Sequence, residues 1–190
     1  ATDISALGAK TAGTVTMAGA ATISGSTAQV TAALVTTDSK ITASKAVVKI
    51  TDTTGTLAAT DLSAIGATTS GTVTMTGAAK ISGNTSEVKA ALVATDSLVV
   101  TDETTSVSIS NASSVADLNL IAAKVADGKL TGSVASTALT DLSSLNTHAT
   151  DIITVAVSDT TGTLAATDIS ALGAKTAGTV TMAGAATISG

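Results

Sequence analysis

Aliphatic positions along this chain follow two rhythms that alternate from end to end. In the first, an acidic or amide residue precedes an aliphatic one, and a second aliphatic follows three or four positions on. The pattern occurs at Asp3-Ile4 with Leu7, Gln29-Val30 with Leu34, Asp61-Leu62 with Ile65, and Glu87-Val88 with Leu92. It returns at Asp117-Leu118 with Ile121, Asp141-Leu142 with Leu145, and Asp168-Ile169 with Leu172. Side chains at that spacing share one face of a helix, so each motif predicts a short amphipathic helix. Three of them open with a capping-box pair, Ser26 with Gln29, Asn84 with Glu87 and Ser114 with Asp117, in which each side chain satisfies the other's backbone donor. Where Ala stands at the cap (Ala58, Ala138, Ala165), only the acid near the positive end of the helix dipole remains. Those helices are expected to be short and frayed at the start.

The second rhythm has a period of two. Runs 13–17, 71–75, 98–101 and 152–157 are rich in Thr, Val and Ile, and shorter runs follow at 47–50, 80–82 and 106–109. Alternating Thr and Val suits a strand with one wet face, and glycines at 13, 25, 55, 71, 83, 128, 132 and 162 punctuate the joins.

The helix motifs recur every 24 to 32 residues, 27.5 on average, and residues 1–25 reappear letter for letter as 166–190. Residues 3–41 also align with 61–99 at an offset of 58. Repeats of this length are the signature of stacked architectures, in which each unit buries its apolar face on the next. The expected fold is therefore a repeat solenoid: parallel β-strands with one short helix per coil of about 27 residues, β-helix-like or leucine-rich-repeat-like. Parallel strands space at about 4.8 Å and packed helices at no less than about 8 Å. Such an array must curve, or else the helical motifs are single turns of a β-solenoid. Residues 1–190 are expected to form one continuous segment, with 1–165 a full period of six coils and 166–190 the start of the next. The chain starts without Met and stops inside a strand-like run, which leads to the expectation of a window from a longer array.

Composition narrows the function classes. The chain has no Cys, Pro, Trp, Tyr, Phe or Arg, one His, and 39 Thr among 190 residues. Without aromatic rings, which supply the large buried areas of ordinary domains, the core must be thin. A net charge of −5 and the lack of Arg argue against nucleic acid. The 27 uncharged residues between Lys10 and Asp38 are long enough to span a bilayer, but half are Thr, Ser, Gly or Gln, so no membrane span is expected.

No residue is expected to be catalytic, cofactor-binding or metal-ligating. The acids at 3, 61, 87, 117, 141 and 168 read as helix-start residues and not as a cation ladder, since calcium asks for six or more oxygens. Asp102 and Glu103, with Asp96 nearby, read as a solvated turn. His148, beside Thr147 and Asp151, reads as a surface loop residue with no partner pattern, and without a second base Ser or Thr has nothing to activate it. Thr14/Thr16 and Thr72/Thr74 would order water or bind ice only if ranked in successive units. The triplets at Asn84 and Asn111 match the glycosylation pattern, but caps or turns explain them more simply.

An ATDLSAIGA-type helix (59–67), a GTVTM strand (71–75), an ISG turn (23–25) and a second helix such as STAQVTAAL (26–34) together resemble the repeat regions of giant cell-surface strand-repeat proteins of marine cyanobacteria and related bacteria, often described as adhesin-like or haemagglutinin-like. The resemblance implies an exported, very long protein acting in adhesion, surface coating or motility. It carries no catalytic residue onto this chain. Calcium enters only through the resemblance, and no GGxGxD nonapeptide occurs here. The expected role is a non-enzymatic structural segment, a stalk, fibre or coat at the cell surface. Its partners would be neighbouring repeats of the same chain, with lateral self-association into filaments. The alternative is a repeated face that binds ice or a glycan.

Overall fold

The computed structural model describes residues 1–94, 99–182, 184 and 186–190. Two compact units divide the chain, Ala1–Thr105 and Ser106–Gly190. The first runs α1 (Thr2–Ala9), β1 (Val15–Thr16), β2 (Thr22–Gly25), α2 (Thr27–Leu34), a 3-10 turn (Thr37–Ser39), β3 (Ile41–Thr42), β4 (Val47–Ile50), β5 (Thr56–Ala58), α3 (Ala59–Gly66), β6 (Val73–Met75), β7 (Lys80–Gly83), α4 (Thr85–Leu92) and β8 (Val99–Val100). The second runs β9 (Ser106–Ser113), α5 (Val115–Ala122), β10 (Leu130–Val134), α6 (Leu139–Leu142), β11 (Ile152–Val157), β12 (Thr163–Ala165), α7 (Ala166–Gly173), β13 (Val180–Met182) and β14 (Thr187–Ser189).

Among the described residues this α/β fold has seven α-helices and four parallel sheets, one of six strands. In the first unit β2, β4, β6 and β8 lie side by side, β1 pairs with β3, and β5 with β7. In the second, β9, β10, β11 and β13 are neighbours and β12 pairs with β14. Parallel partners cannot be joined by a tight hairpin and need a crossover. The helices lie within the chain segments that supply it. The register sorts side chains cleanly: Ile23, Val48, Val73 and Val99 align across four strands and are all buried. The neighbouring row reads Ser24, Lys49, Thr74 and Val100. Helix aliphatics at the expected positions complete the interiors: Val30, Leu62, Ile65 and Val88 in the first unit, Leu118, Ile121 and Leu142 in the second.

The solenoid expected from the repeat spacing is not what the structure shows, nor is its single-turn variant. Six of the seven helices run eight residues, more than two turns. The strands are shared among four sheets, where a solenoid would give one uniform ladder per wall. Unequal spacing is the physical reason: units that differ by up to eight residues cannot repeat one register. Strands β1 and β3 shrink to two residues, while β9 runs eight without the expected break; Leu98, where the run leading into β8 was expected to begin, lies outside the described residues. The register between β9 and β10 shifts between Thr131 and Ser133. The ISG expected as a turn belongs to strand β2.

The offset of 58 is reproduced element by element. β2, α2 and β3 map onto β7, α4 and β8 residue for residue, β1 maps onto β6, which is one residue longer, and Val15↔Ile41 recurs as Val73↔Val99. Capping agrees with the sequence in part. Ser26/Gln29 and Asn84/Glu87 form complete capping boxes, and Ser114 accepts the Asp117 N–H. No side chain of Ala58, Ala138 or Ala165 caps its helix. Yet only α6 is short, because α3 and α7 reach the same eight residues as the capped helices.

Candidate functional site

The recurring acids at 3, 61, 87, 117, 141 and 168 each sit in the first turn of their own helix, facing the positive end of its dipole. They do not converge, and among the described residues no group of three or more His, Asp or Glu is placed to hold a metal ion.

Other carboxylates serve the backbone across longer distances. The Thr27 N–H and hydroxyl both donate to Asp52 Oδ2, at 2.6 and 2.7 Å. Asp52 lies 25 residues further on, yet it closes the start of α2. Asp159 does the same for α6, accepting the Leu139 N–H at 2.7 Å. Helix starts leave orphan N–H groups, and these two distant carboxylates supply what Ala138 lacks and what Ser26 leaves over.

Asp102 is gripped by its own turn. Its Oδ1 accepts from the N–H and hydroxyl of both Thr104 and Thr105, at 2.8 to 3.0 Å. Burial works to raise its carboxyl, and the hydrogen bonds from Thr105 and Thr104 outweigh it, so the group lies below the ordinary aspartate value of 3.8. Glu103 is exposed on that turn, and Asp96 lies outside the described residues.

His148 is the one place where sequence reasoning missed a cluster. Its Nε2 lies 2.8 Å from Asp127 Oδ1 and its Nδ1 lies 3.2 Å from Asp151 Oδ2. Asp151 is 0% exposed and accepts four contacts: the Gly128 and Leu130 N–H groups on Oδ1, the His148 N–H and ring on Oδ2. Spacing could have hinted at it. Asp151 comes 21 residues after Leu130 and three after His148, so one carboxylate ties a turn to the turn before it. Both ring nitrogens face carboxylates, and neither faces a hydroxyl that it could activate. The cluster clamps loops.

A groove of about 460 Å³ opens between α6 and α7, lined among others by Leu139, Ser143, Asp159, Leu164, Asp168 and Lys175. One of its walls is the four-residue α6. Its polar groups are largely engaged: Asp159 caps α6, and Lys175 Nζ donates to the Ser143 carbonyl at 2.5 Å. The Thr-x-Thr pairs are not ranked, since Lys49 and Val100 flank Thr74 in its row. Asn84 caps α4, and Asn111 lies on β9. No helix among the described residues is long and apolar enough to cross a membrane. No family model, curated protein or solved structure matches the chain.

Proposed function

We propose that this chain is a structural segment of a very long, exported bacterial surface protein, serving as a stalk, fibre or coat. One observation carries the reading. The same 25 residues, 1–25 and 166–190, fold into the same helix and two strands in both places, α1, β1, β2 and α7, β13, β14. A sequence that rebuilds its own elements at a fixed interval lengthens a protein without needing a new design for each addition. The chemistry of the side chains agrees with that role. The carboxylates that are buried or turned inward bind backbone N–H groups, as expected where charged groups serve the fold and not a substrate. Negative-stain imaging of cells labelled with an antibody to this chain tests the proposal. Label on extracellular fibres or a surface layer supports it, and label confined to the cell interior refutes it.

A further inference from the structure

Two Asn-x-Ser triplets occur in the chain, Asn84-Thr85-Ser86 and Asn111-Ala112-Ser113, and the fold places them differently. The expectation that a cap or a turn accounts for each holds for the first. Asn84 Oδ1 accepts the Glu87 N–H at 3.0 Å, and the Asn84 N–H donates to Glu87 Oε2 at 2.8 Å. This half-buried residue closes the start of α4. The second triplet departs from the expectation. Asn111 is neither a helix cap nor a turn residue, and lies near the end of β9.

The register explains why β9 carries Asn111 outward. Val107 and Ser108 sit opposite Leu130 and Thr131, whereas Ala112 and Ser113 sit opposite Ser133 and Val134. Ile109, Ser110 and Asn111 therefore face Gly132 alone, and β9 holds two residues more than its partner over that stretch. Surplus residues cannot keep the in-and-out alternation of a regular strand. Ile109 stays inside at 6% exposure, and Ser110, Asn111 and Ala112 follow as three exposed residues in a row. Ser113 turns back inside and is 2% exposed. The Asn111 Nδ2 donates to the Ala112 carbonyl at 3.3 Å. A carboxamide nitrogen carries two hydrogens, so one can be replaced while the other keeps that bond.

We propose that Asn111 is a site of N-linked glycosylation. Its Nδ2 attacks the anomeric carbon of a sugar held as a diphosphate ester, on a lipid or on a nucleoside. The new C–N bond forms as the bond from that carbon to the diphosphate oxygen breaks. The diphosphate leaves, and the amide gives up one proton. The acceptor triplet needs a hydroxyl at its third position, and the Ser113 side chain is covered once β9 has paired with β10. Attachment therefore precedes that pairing, and the finished fold has to accommodate a bulky polar group. The exposed bulge at 110–112 gives it room in solvent. At Asn84 a sugar would be pressed against Glu87 and the first turn of α4. The inference stands apart from the surface role, because it concerns where the chain accepts a sugar and not where the chain acts.

Peptide mass mapping of the full chain isolated from the cells that make it tests the proposal. Cleavage after lysine separates the triplets into peptides 81–89 and 90–124. Peptide 90–124 should carry a sugar, and peptide 81–89 should be bare. An amidase that cuts at the glycan should release it and turn the Asn111 carboxamide into a carboxyl. A single hexose on 90–124 identifies a nucleotide-linked donor, an oligosaccharide a lipid-linked one, and either supports the site. Asn111→Gln should abolish the modification and leave the far-UV circular dichroism of the chain unchanged, since the side chain is exposed. A bare 90–124, a sugar that persists on it in Asn111→Gln, or a sugar on 81–89 overturns the proposal.

Discussion

Asp151→Ala removes the acceptor that ties three backbone N–H groups together in the second unit. Leu130 is wholly buried, and losing the 3.2 Å bond from its N–H to Oδ1 leaves a donor that water does not reach, at a cost of about 2 kcal/mol. The Gly128 and His148 N–H groups lie nearer solvent and should contribute about 1 kcal/mol each. Relief of burying a carboxylate works in the opposite direction. It is the smaller effect here, because four hydrogen-bonding partners already surround the charge. The sum is about 4 kcal/mol, which at a urea dependence of about 2 kcal/mol/M lowers the midpoint by about 2 M. Asp151→Asn, keeping an oxygen toward Gly128 and Leu130 but turning an N–H toward His148, should lose less than half as much. Asp127 is exposed, and Asp127→Ala should cost under about 0.5 kcal/mol, as surface ion pairs do. With no Trp or Tyr in the chain, far-UV circular dichroism tracks unfolding, and hydrogen exchange at the Gly128 and Leu130 amides reads the site directly. A midpoint shift below about 0.5 M for Asp151→Ala, or Asn as damaging as Ala, refutes the reasoning.

Other perturbations should have smaller effects. The Thr31 hydroxyl is buried without a hydrogen-bond partner, so Thr31→Val should stabilise by about 1 kcal/mol, seen as a melting temperature higher by a few degrees. Ala58→Ser and Ala165→Ser place a hydroxyl at extended-backbone cap positions that have none. Each should add about 0.5 to 1 kcal/mol in urea titrations, and no gain from either would count against capping as the missing element. Because the folded Asp102 carboxyl lies below its ordinary value of 3.8, its stabilisation is complete above that value and disappears as pH falls through the lower folded value. Asp102→Asn should therefore flatten the loss of urea midpoint between pH 5 and pH 2, and an unchanged slope would remove the Thr104–Thr105 grip as its cause.

The helices were legible and their assembly was not. Six of the seven described helices contain the aliphatic pair that placed them, from Ile4 with Leu7 to Ile169 with Leu172, whereas α6 ends at Leu142, before the Leu145 expected on it; helix formation is local and its signal sits within eight residues. The Val-rich strands at 47–50, 73–75 and 152–157 were equally visible. Strands such as β5 and β12, Thr-Leu-Ala in both cases, carry too little pattern to announce themselves, since three residues cannot show a period. What the repeat spacing could not convey was the choice of partners. Equal average spacing suggested equal ladders, yet the register shift at Thr131/Ser133 and the four-residue α6 show how departures of a few residues redirect pairing. The His148 cluster was hidden for a related reason: Asp127 and Leu130 lie 21 residues before His148 and Asp151, and only tertiary contact brings those pairs together.

The carboxylates of Asp52 and Asp159 arrive 25 and 20 residues after the helix starts that they close. A ribosome releases a chain from its N-terminus, so the Thr27 and Leu139 amides emerge without their carboxylates, and these two helix starts are finished only when the later turn appears. Ordering therefore trails synthesis by roughly one spacing between helix motifs. A nascent chain held with Thr27 outside the ribosome and Asp52 still inside its exit tunnel would leave the start of α2 open to a protease, and release of Asp52 would close that opportunity.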